Sequence, residues 1–315
     1  MKIIGTGSYL PQKIIYNRDF EAFLDTSDEW ISTRTGIRTR YIATDENTSD
    51  MAFKAVAKAV NGFDVSKIDL IISTSVTHEY FTPSLSCRVG EYLGIAPVCL
   101  DINAACAGFS YALDLAQRYF STEPDFCYAL VVSAEQLSRI TDYTDRASCV
   151  LFGDGAGAVL LEKDDAPFAG ILGSEPEMAA LYAKSIPNIN PWADEKLSAL
   201  CGNGLYMDGK EVYKFATRVL PEYLTRACAK LSIMPGELSL IIPHQANARI
   251  IETSAKSLGV PMERFMMNID RYGNTSSASC AIALDEAFQA GRVDGYVGFV
   301  GFGAGLTMAS VVMKL

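Results

Sequence analysis

Histidine is almost missing from this chain. Only His78 and His244 occur among 315 residues, so chemistry that needs an imidazole has two places to find one. Cysteine occurs eight times, at 87, 99, 106, 127, 149, 201, 228 and 280, but never as C-x-x-C and never clustered with histidine. That spacing signals neither a metal site nor a disulfide framework, and it suits reduced thiols in the cytoplasm. Basic residues are in deficit as well. The 27 Lys and Arg against 37 Asp and Glu leave a net charge of −10, which argues against a nucleic-acid binder and requires any acidic partner to meet a local basic patch. The opening Met-Lys-Ile-Ile-Gly-Thr-Gly lacks the apolar core of a signal peptide. Gly295 to Met313 is uncharged, but glycines at 295, 298, 301, 303 and 305 interrupt it. Two buried strands joined by a glycine turn account for it better than a membrane span.

What is present is a globular composition, 49% hydrophobic and 20% charged, in a chain long enough to bury a full core. One stretch organises it: Val98-Cys-Leu-Asp-Ile-Asn-Ala-Ala-Cys106-Ala-Gly-Phe reads as a strand running through a cysteine into a helix. From Ala105 onward, Phe109, Leu113, Ala116 and Phe120 fall at helical spacing, with Ser110, Asp114, Gln117 and Arg118 opposite. A thiol in the first turn would sit beside free backbone N–H groups and the positive end of the helix dipole, both of which favour thiolate. A buried cysteine packing as a small hydrophobe is the alternative.

Taken in order, Ile3–Gly7 reads as a strand, Asn47-Thr-Ser-Asp caps a helix from Met51 to Val60, and Ile68-Asp-Leu-Ile-Ile-Ser-Thr is a buried strand. Tyr128–Ser133 follows as another strand. Cys149 to Leu161 reads as two short strands about a glycine-rich turn, and Lys163 to Met207 as irregular chain with Pro167, Pro176, Pro187 and Pro191. A helix over Gly209–Leu231, kinked at Pro221, is then expected. The order of elements restarts here. Ile71 and Ile241 lie 170 residues apart in matching apolar runs, and Ala112-Leu-Asp recurs 171 residues on as Ala283-Leu-Asp. Two related halves follow, 1–165 and 166–315, with 166–208 a join or insertion. The expected class is α/β with mainly parallel sheets. Ligands gather at the carboxyl ends of such strands, where the second half carries Pro243-His244-Gln-Ala-Asn247 and Tyr272-Gly-Asn274. His244 could serve as proton carrier, and Asn274 as a neutral donor to an oxygen that becomes negative.

Asp101-Ile-Asn-Ala-Ala-Cys-Ala-Gly-Phe, Pro243-His-Gln-Ala-Asn-Ala-Arg-Ile, Tyr272-Gly-Asn-Thr-Ser-Ser-Ala-Ser and Gly301-Phe-Gly-Ala-Gly-Leu-Thr together resemble the β-ketoacyl-[acyl-carrier-protein] synthase III family, condensing enzymes of the thiolase fold. The resemblance runs nearly end to end and implies layers of sheet and helix, αβαβα. It implies that Cys106 takes an acyl group from acyl-CoA, that His244 and Asn274 promote decarboxylation of malonyl-acyl carrier protein, and that the N–H groups of Cys106 and Ala304 form an oxyanion hole. Trp30 would stack on the adenine of CoA with Arg146 on its other face. Arg34 would lie by the phosphates and Asn247 by the pantetheine arm, while Lys214 and Arg249 would meet acyl carrier protein. A homodimer is implied, with Thr82 of one subunit facing the acyl pocket of the other. Neither metal nor cofactor is called for beyond CoA thioester substrates.

The departures are specific. Members usually read Gly-Gly-Gly-x-Thr-Trp-Gly where this chain has Gly303-Ala-Gly-Leu-Thr-Met308-Ala309, and Lys210 and Ser257 replace an asparagine and a lysine. Related chemistries fit less well. A thiolase would need a cysteine after Cys280, and an elongating synthase a histidine where Asn274 stands. A 3-hydroxy-3-methylglutaryl-CoA synthase would be longer, with a glutamate acid for which Glu79 is the candidate. A synthase with another starter or acceptor, a cysteine hydrolase and a non-catalytic CoA- or carrier-binding relative remain as alternatives.

Overall fold

Unbroken apolar runs, rather than alternating ones, mark strands buried on both faces. Leu70–Thr74 and Leu240–Pro243 are such runs, and every residue of both is buried. The computed structural model describes residues 1–184 and 204–315; Pro187, Pro191 and Cys201 lie outside the described residues.

The first half comprises β1 (Lys2–Tyr9), β2 (Lys13–Tyr16), α1 (Asn17–Phe20), α2 (Asp28–Thr35), β3 (Thr39–Ile42), α3 (Thr48–Ala59) and β4 (Leu70–Thr74). It continues with α4 (Leu85–Leu93), β5 (Val98–Ile102), α5 (Gly108–Thr122), β6 (Tyr128–Gln136), α6 (Arg146–Cys149) and β7 (Asp154–Glu162). The second has β8 (Phe168–Glu177), β9 (Leu181–Ala183), β10 (Leu205–Met207), α7 (Gly209–Lys230) and β11 (Leu240–Pro243). After these come α8 (Ala248–Leu258), α9 (Ile269–Tyr272), α10 (Ala278–Gln289), β12 (Tyr296–Gly303) and β13 (Gly305–Lys314).

The main sheets have the orders β1-β7-β6-β4-β5 and β8-β13-β12-β11. Read from β1 and from β8, both run antiparallel, antiparallel, then parallel, so the halves share one topology, and β5 is an extra edge strand on the first. The sheets are therefore mixed rather than mainly parallel. Helices α4 and α5 lie between the parallel-paired strands β4, β5 and β6, and α8 to α10 between parallel β11 and β12, whereas β12 and β13 form a direct hairpin.

Five layers result. Helices α5 and α10 fill the space between the sheets, where Phe109, Leu113 and Leu284 meet Ile72, Val131, Ile242 and Val311. Phe109 and Phe299 touch edge to face with centroids 5.8 Å apart, and burial of such a ring contributes roughly 1.5–3 kcal/mol. Helices α3 and α4 cover the outer face of the first sheet, and α7 and α8 that of the second. This is the αβαβα thiolase fold.

Helix α7 contains Pro221. Two local expectations are corrected. The segment from Lys163 to Met207 contains the ten-residue strand β8, whose Pro176 falls near its end. The glycine-rich stretch after Cys149 is one strand, β7, not two around a turn. Its glycines answer to packing: a Cβ on Gly157 would lie 2.5 Å from the Ala281 Cβ of α10, so the absent side chain lets that helix settle on the sheet.

Candidate active site

Cys106 does not sit in the first turn of α5. It occupies a single 3-10 turn, Ala105–Ala107, that precedes the helix, and Ala105 takes a φ of 47°, a left-handed conformation that a helix cannot include. The sharp turn at the end of β5 puts Cys106 in the wall of a cavity of about 1130 Å³. His244, Asn274, Phe302 and Ala304 line the same cavity.

The cavity brings strand ends of both halves together. β12 ends against the cysteine turn, and a Cβ on Gly303 would lie 2.5 Å from the Cys106 nitrogen. Glycine is required there for close approach, which carries the next residue, Ala304, to the neighbourhood of the Cys106 N–H. The hydroxyl of Thr307 donates to the Ala104 carbonyl at 2.8 Å and reaches the Ala304 carbonyl at 3.1 Å, tying the β12–β13 turn to the residue before the cysteine turn. Met308 and Ala309, where the family pattern departs, are buried in β13 and do not line the cavity.

His244 follows the last residue of β11, is 2% exposed, and packs edge-on against Phe302 at 5.4 Å. Burial drives its pKa down to about 3, partly opposed by the backbone carbonyl of Ser276, so the ring is neutral at ordinary pH. Its Nδ1 lies 2.7 Å from the Ser279 hydroxyl, which also accepts the Gln245 N–H at 3.3 Å. Asn274 is held by backbone bonds to Leu151 and Gly153, and its Oδ1 accepts the Ser276 N–H at 2.8 Å. That bond fixes the amide with its NH₂ group as the remaining donor.

The Cys106 thiol is pushed up to about 12, chiefly by burial and further by Glu135, while the Ser276 hydroxyl works the other way. Burial thus opposes the thiolate that a helix dipole would favour, and the cysteine lies one short turn before the α-helix that would supply that dipole. Glu135, which sequence reasoning passed over, lies fully buried at the end of β6 behind the cavity, and burial raises its pKa.

Toward the mouth, Trp30 and Arg34 lie on α2 and Arg146 begins α6. Both guanidiniums lie over the indole, at 4.6 and 4.8 Å from the ring centroid. Arg146 also donates to the Asp25 carbonyl at 2.5 Å. Asn247 caps α8 by accepting the Arg249 N–H at 2.9 Å and donates to the Arg34 carbonyl at 3.1 Å. Arg139 and Lys184 add two cations to the lining, with Glu177 the one carboxylate there among the described residues. Nothing in their local pattern marks those two cations.

Lys214 and Arg249 are exposed, but neither is a bare charge: Lys214 pairs with Glu211 at 2.7 Å, and Arg249 donates to the Thr33 carbonyl at 2.6 Å. Thr82 is exposed and does not line the cavity of its own chain, whereas Phe81 does. His78 also lines the cavity, exposed. Glu79 is held by Ser49 and Arg88, away from the lining.

Two family models match this chain: 3-oxoacyl-[acyl-carrier-protein] synthase III over residues 100–178, and the C-terminal region of the same synthase over residues 228–315. A β-ketoacyl-[acyl-carrier-protein] synthase III of Clostridium acetobutylicum is 42% identical over 322 residues, covering 100% of this chain and 98% of the relative. The crystal structure of the corresponding Thermus thermophilus synthase III superposes with a TM-score of 0.91 at 40% identity, covering 100% of this chain and 99% of that one. The priming β-ketosynthase of the R1128 polyketide biosynthetic pathway superposes with a TM-score of 0.92 at 34% identity, covering 100% and 96%. Among the described residues, no helix is long and apolar enough to cross a membrane.

Proposed function

The chain belongs to the β-ketoacyl-[acyl-carrier-protein] synthase III family, and from that premise we propose that it performs the first condensation of fatty-acid synthesis with Cys106, His244 and Asn274 as the reacting site. The observation that carries this assignment is their convergence, with Ala304, in one cavity. In the first half-reaction the Cys106 sulfur attacks an acyl-CoA thioester, and the N–H groups of Cys106 and Ala304 receive the oxyanion as CoA departs. In the second, malonyl-acyl carrier protein loses CO2, and the electrons of the broken C–C bond form an enolate. His244 and Asn274 then stabilise that negative oxygen, and the enolate carbon attacks the acyl group on Cys106 to give 3-oxoacyl-acyl carrier protein.

Neutral donors suit that task. With the Ser279 hydroxyl donating to His244 Nδ1, the ring proton would sit on Nε2 and make it a neutral donor alongside the Asn274 amide. No metal or cofactor enters, since loss of CO2 makes the carbanion without a strong base. CoA would enter past Trp30, its adenine parting the indole from Arg146, with Arg34, Arg139 and Lys184 available to its phosphates and Asn247 to the pantetheine arm. Lys214 and Arg249 would exchange their present partners for the acidic carrier protein. We place the protein in the cytoplasm, because the nucleophile must stay reduced. A homodimer is supported by the edge strand β5 and by exposed Phe81, Tyr92 and Val98, at 74%, 49% and 44%, and would bring Thr82 to the partner's acyl pocket. A priming role with another starter is the second reading, supported by the likeness to the R1128 enzyme.

The test is acylation of the intact protein by a panel of straight and branched acyl-CoAs, read by mass spectrometry against Cys106→Ala, followed by malonyl-acyl carrier protein. A rapid adduct confined to Cys106 that is then consumed to 3-oxoacyl product is expected. No adduct with any acyl-CoA would overturn the assignment.

A further inference from the structure

Asn274 can serve an enolate oxygen only if its amide is aimed, and the contacts that aim it lead out of the cavity. Its backbone is tied to Leu151 and Gly153, but its side chain answers to the next turn, where Oδ1 accepts the Ser276 N–H at 2.8 Å. Ser276 presents that N–H from a φ of 51°, a left-handed conformation that persists in a residue with a side chain only where the surroundings impose it. Its own hydroxyl imposes nothing, since it is buried without a hydrogen-bond partner among the described residues. The adjacent residue is the one that is anchored. Ser277 occupies the N-cap of α10 yet makes no capping bond; its hydroxyl donates instead to Glu135 Oε1 at 2.9 Å.

Glu135, at the end of β6, is held on its other side by the first half. It has no exposure, and no lysine or arginine pairs with it among the described residues. Its Oε2 accepts the Val76 N–H at 3.0 Å and the Thr77 hydroxyl at 2.8 Å, with the Ser75 hydroxyl at 3.4 Å. The Thr77 hydroxyl itself accepts the Gln136 N–H at 2.7 Å, which directs its proton to the carboxylate. One oxygen therefore grips the segment that follows β4, and the other the start of α10 in the second half. Glu135 and Ser277 do not line the cavity, whereas Val76, Thr77, Asn274 and Ser276 do. The carboxylate thus joins two walls of the site from behind, through hydrogen bonds stronger than those between neutral groups.

We propose that Glu135 is a positioning residue for condensation: through Ser277 it holds the backbone of Ser276, and so keeps Asn274 turned with its NH₂ group toward the enolate oxygen. The contact supplies position rather than charge. Glutamine in the same place would preserve it, its amide oxygen accepting from Val76 and Thr77 and its NH₂ group donating to the Ser277 hydroxyl. Acyl transfer to Cys106 makes no use of Asn274 and is spared. The inference rests on the proposed function and assigns a residue to its second half-reaction alone.

Single turnovers separate the two steps: acylation of Cys106 by acyl-CoA, and condensation of pre-acylated enzyme with malonyl-acyl carrier protein. Wild type, Ser277→Ala, Glu135→Ala and Glu135→Gln would be compared. Ser277→Ala removes only the link to α10 and leaves Glu135 its bonds to Val76 and Thr77, so it decides the matter if Glu135→Ala does not fold. Condensation should fall at least about tenfold in both alanine variants, the scale of a buried hydrogen bond to a charged group, with acylation within about twofold of wild type. Glu135→Gln should condense within about threefold of wild type, because the grip survives the loss of charge. Unchanged condensation in Ser277→Ala, equal losses in both half-reactions, or a Glu135→Gln variant as slow as Ser277→Ala overturns the proposal. Wild-type protein that fails to acylate Cys106, or to condense once acylated, overturns the proposed function itself, so the two failures are told apart.

Discussion

Lowering the pH from 7.5 to 5.5 should cost this protein about 1.4 kcal/mol of stability through His244 alone. In the folded chain burial holds the imidazole near a pKa of about 3, against an ordinary value of 6.5. As pH falls through 6.5 the unfolded chain takes up a proton that the folded chain refuses until about pH 3. The contribution of the neutral ring is therefore full above pH 6.5 and is lost progressively below it. At pH 5.5 the unfolded histidine is one pK unit below its midpoint, which sets the figure. In a protein of this size the change corresponds to roughly 2 °C in unfolding midpoint. Glu135 and Asp154 work in the opposite direction, since burial raises their pKa values and the folded state binds their protons first. The comparison must therefore be with a variant. His244→Gln should show a midpoint less sensitive to this pH range by that amount, measured by calorimetry at matched ionic strength. With only two histidines, imidazole resonances assigned by His78→Gln give an independent check: the His244 signal should stay at its neutral position down to pH 5. Equal pH slopes in wild type and His244→Gln, or a His244 titration above pH 5, would refute the reasoning and restore a cationic imidazole to the site.

Other expectations follow from single contacts. Ser279→Ala removes the hydroxyl that holds His244 Nδ1; condensation should fall about five- to a hundredfold while acylation of Cys106 changes little, matching a buried hydrogen bond of about 1–3 kcal/mol. Thr307→Val keeps the shape of the β12–β13 turn but loses its tie to the residue before the cysteine turn, so acyl-transfer kcat should drop by about tenfold with KM for acyl-CoA nearly unchanged, a split readable by steady-state kinetics. Trp30→Ala should do the reverse, raising KM for acyl-CoA by about five- to tenfold with little effect on kcat, since a stacking contact of about 1 kcal/mol or more is lost from ground and transition state alike.

How much of this could be read from residues alone depended on whether the cause was local. Cys106 and His244 follow apolar runs and Asn274 a Tyr-Gly turn, and such endings are visible in a string of letters. The duplicated order of elements was visible too, through Leu-Ile-Ile and Ala-Leu-Asp. Glu135 and Ser276 were not. A glutamate after Tyr128–Ala134 looks like the polar end of a strand, and Ser276 is one of several serines in a row. Their burial exists only because α10 of the second half closes over β6 and β7 of the first. Loss of water around the sulfur, which opposes the helix dipole, is likewise invisible in the letters. Strand β8 escaped for a different reason: its flanking prolines read as breakers, while its pairing with β13 is a contact distant in sequence.

The two halves also divide the work of the site unequally. On the proposed reading the first contributes Cys106, and the second His244, Asn274 and the Ala304 N–H, so one half would hold the cargo and the other manage the charge. Neither would then be an enzyme by itself. A chain cut between β7 and β8, at the surface stretch 163–167, would yield two fragments with one four-stranded sheet or more apiece and no activity until they met. On that reading a loss in either half would silence both, since the reacting groups are shared between two sheets of one strand order.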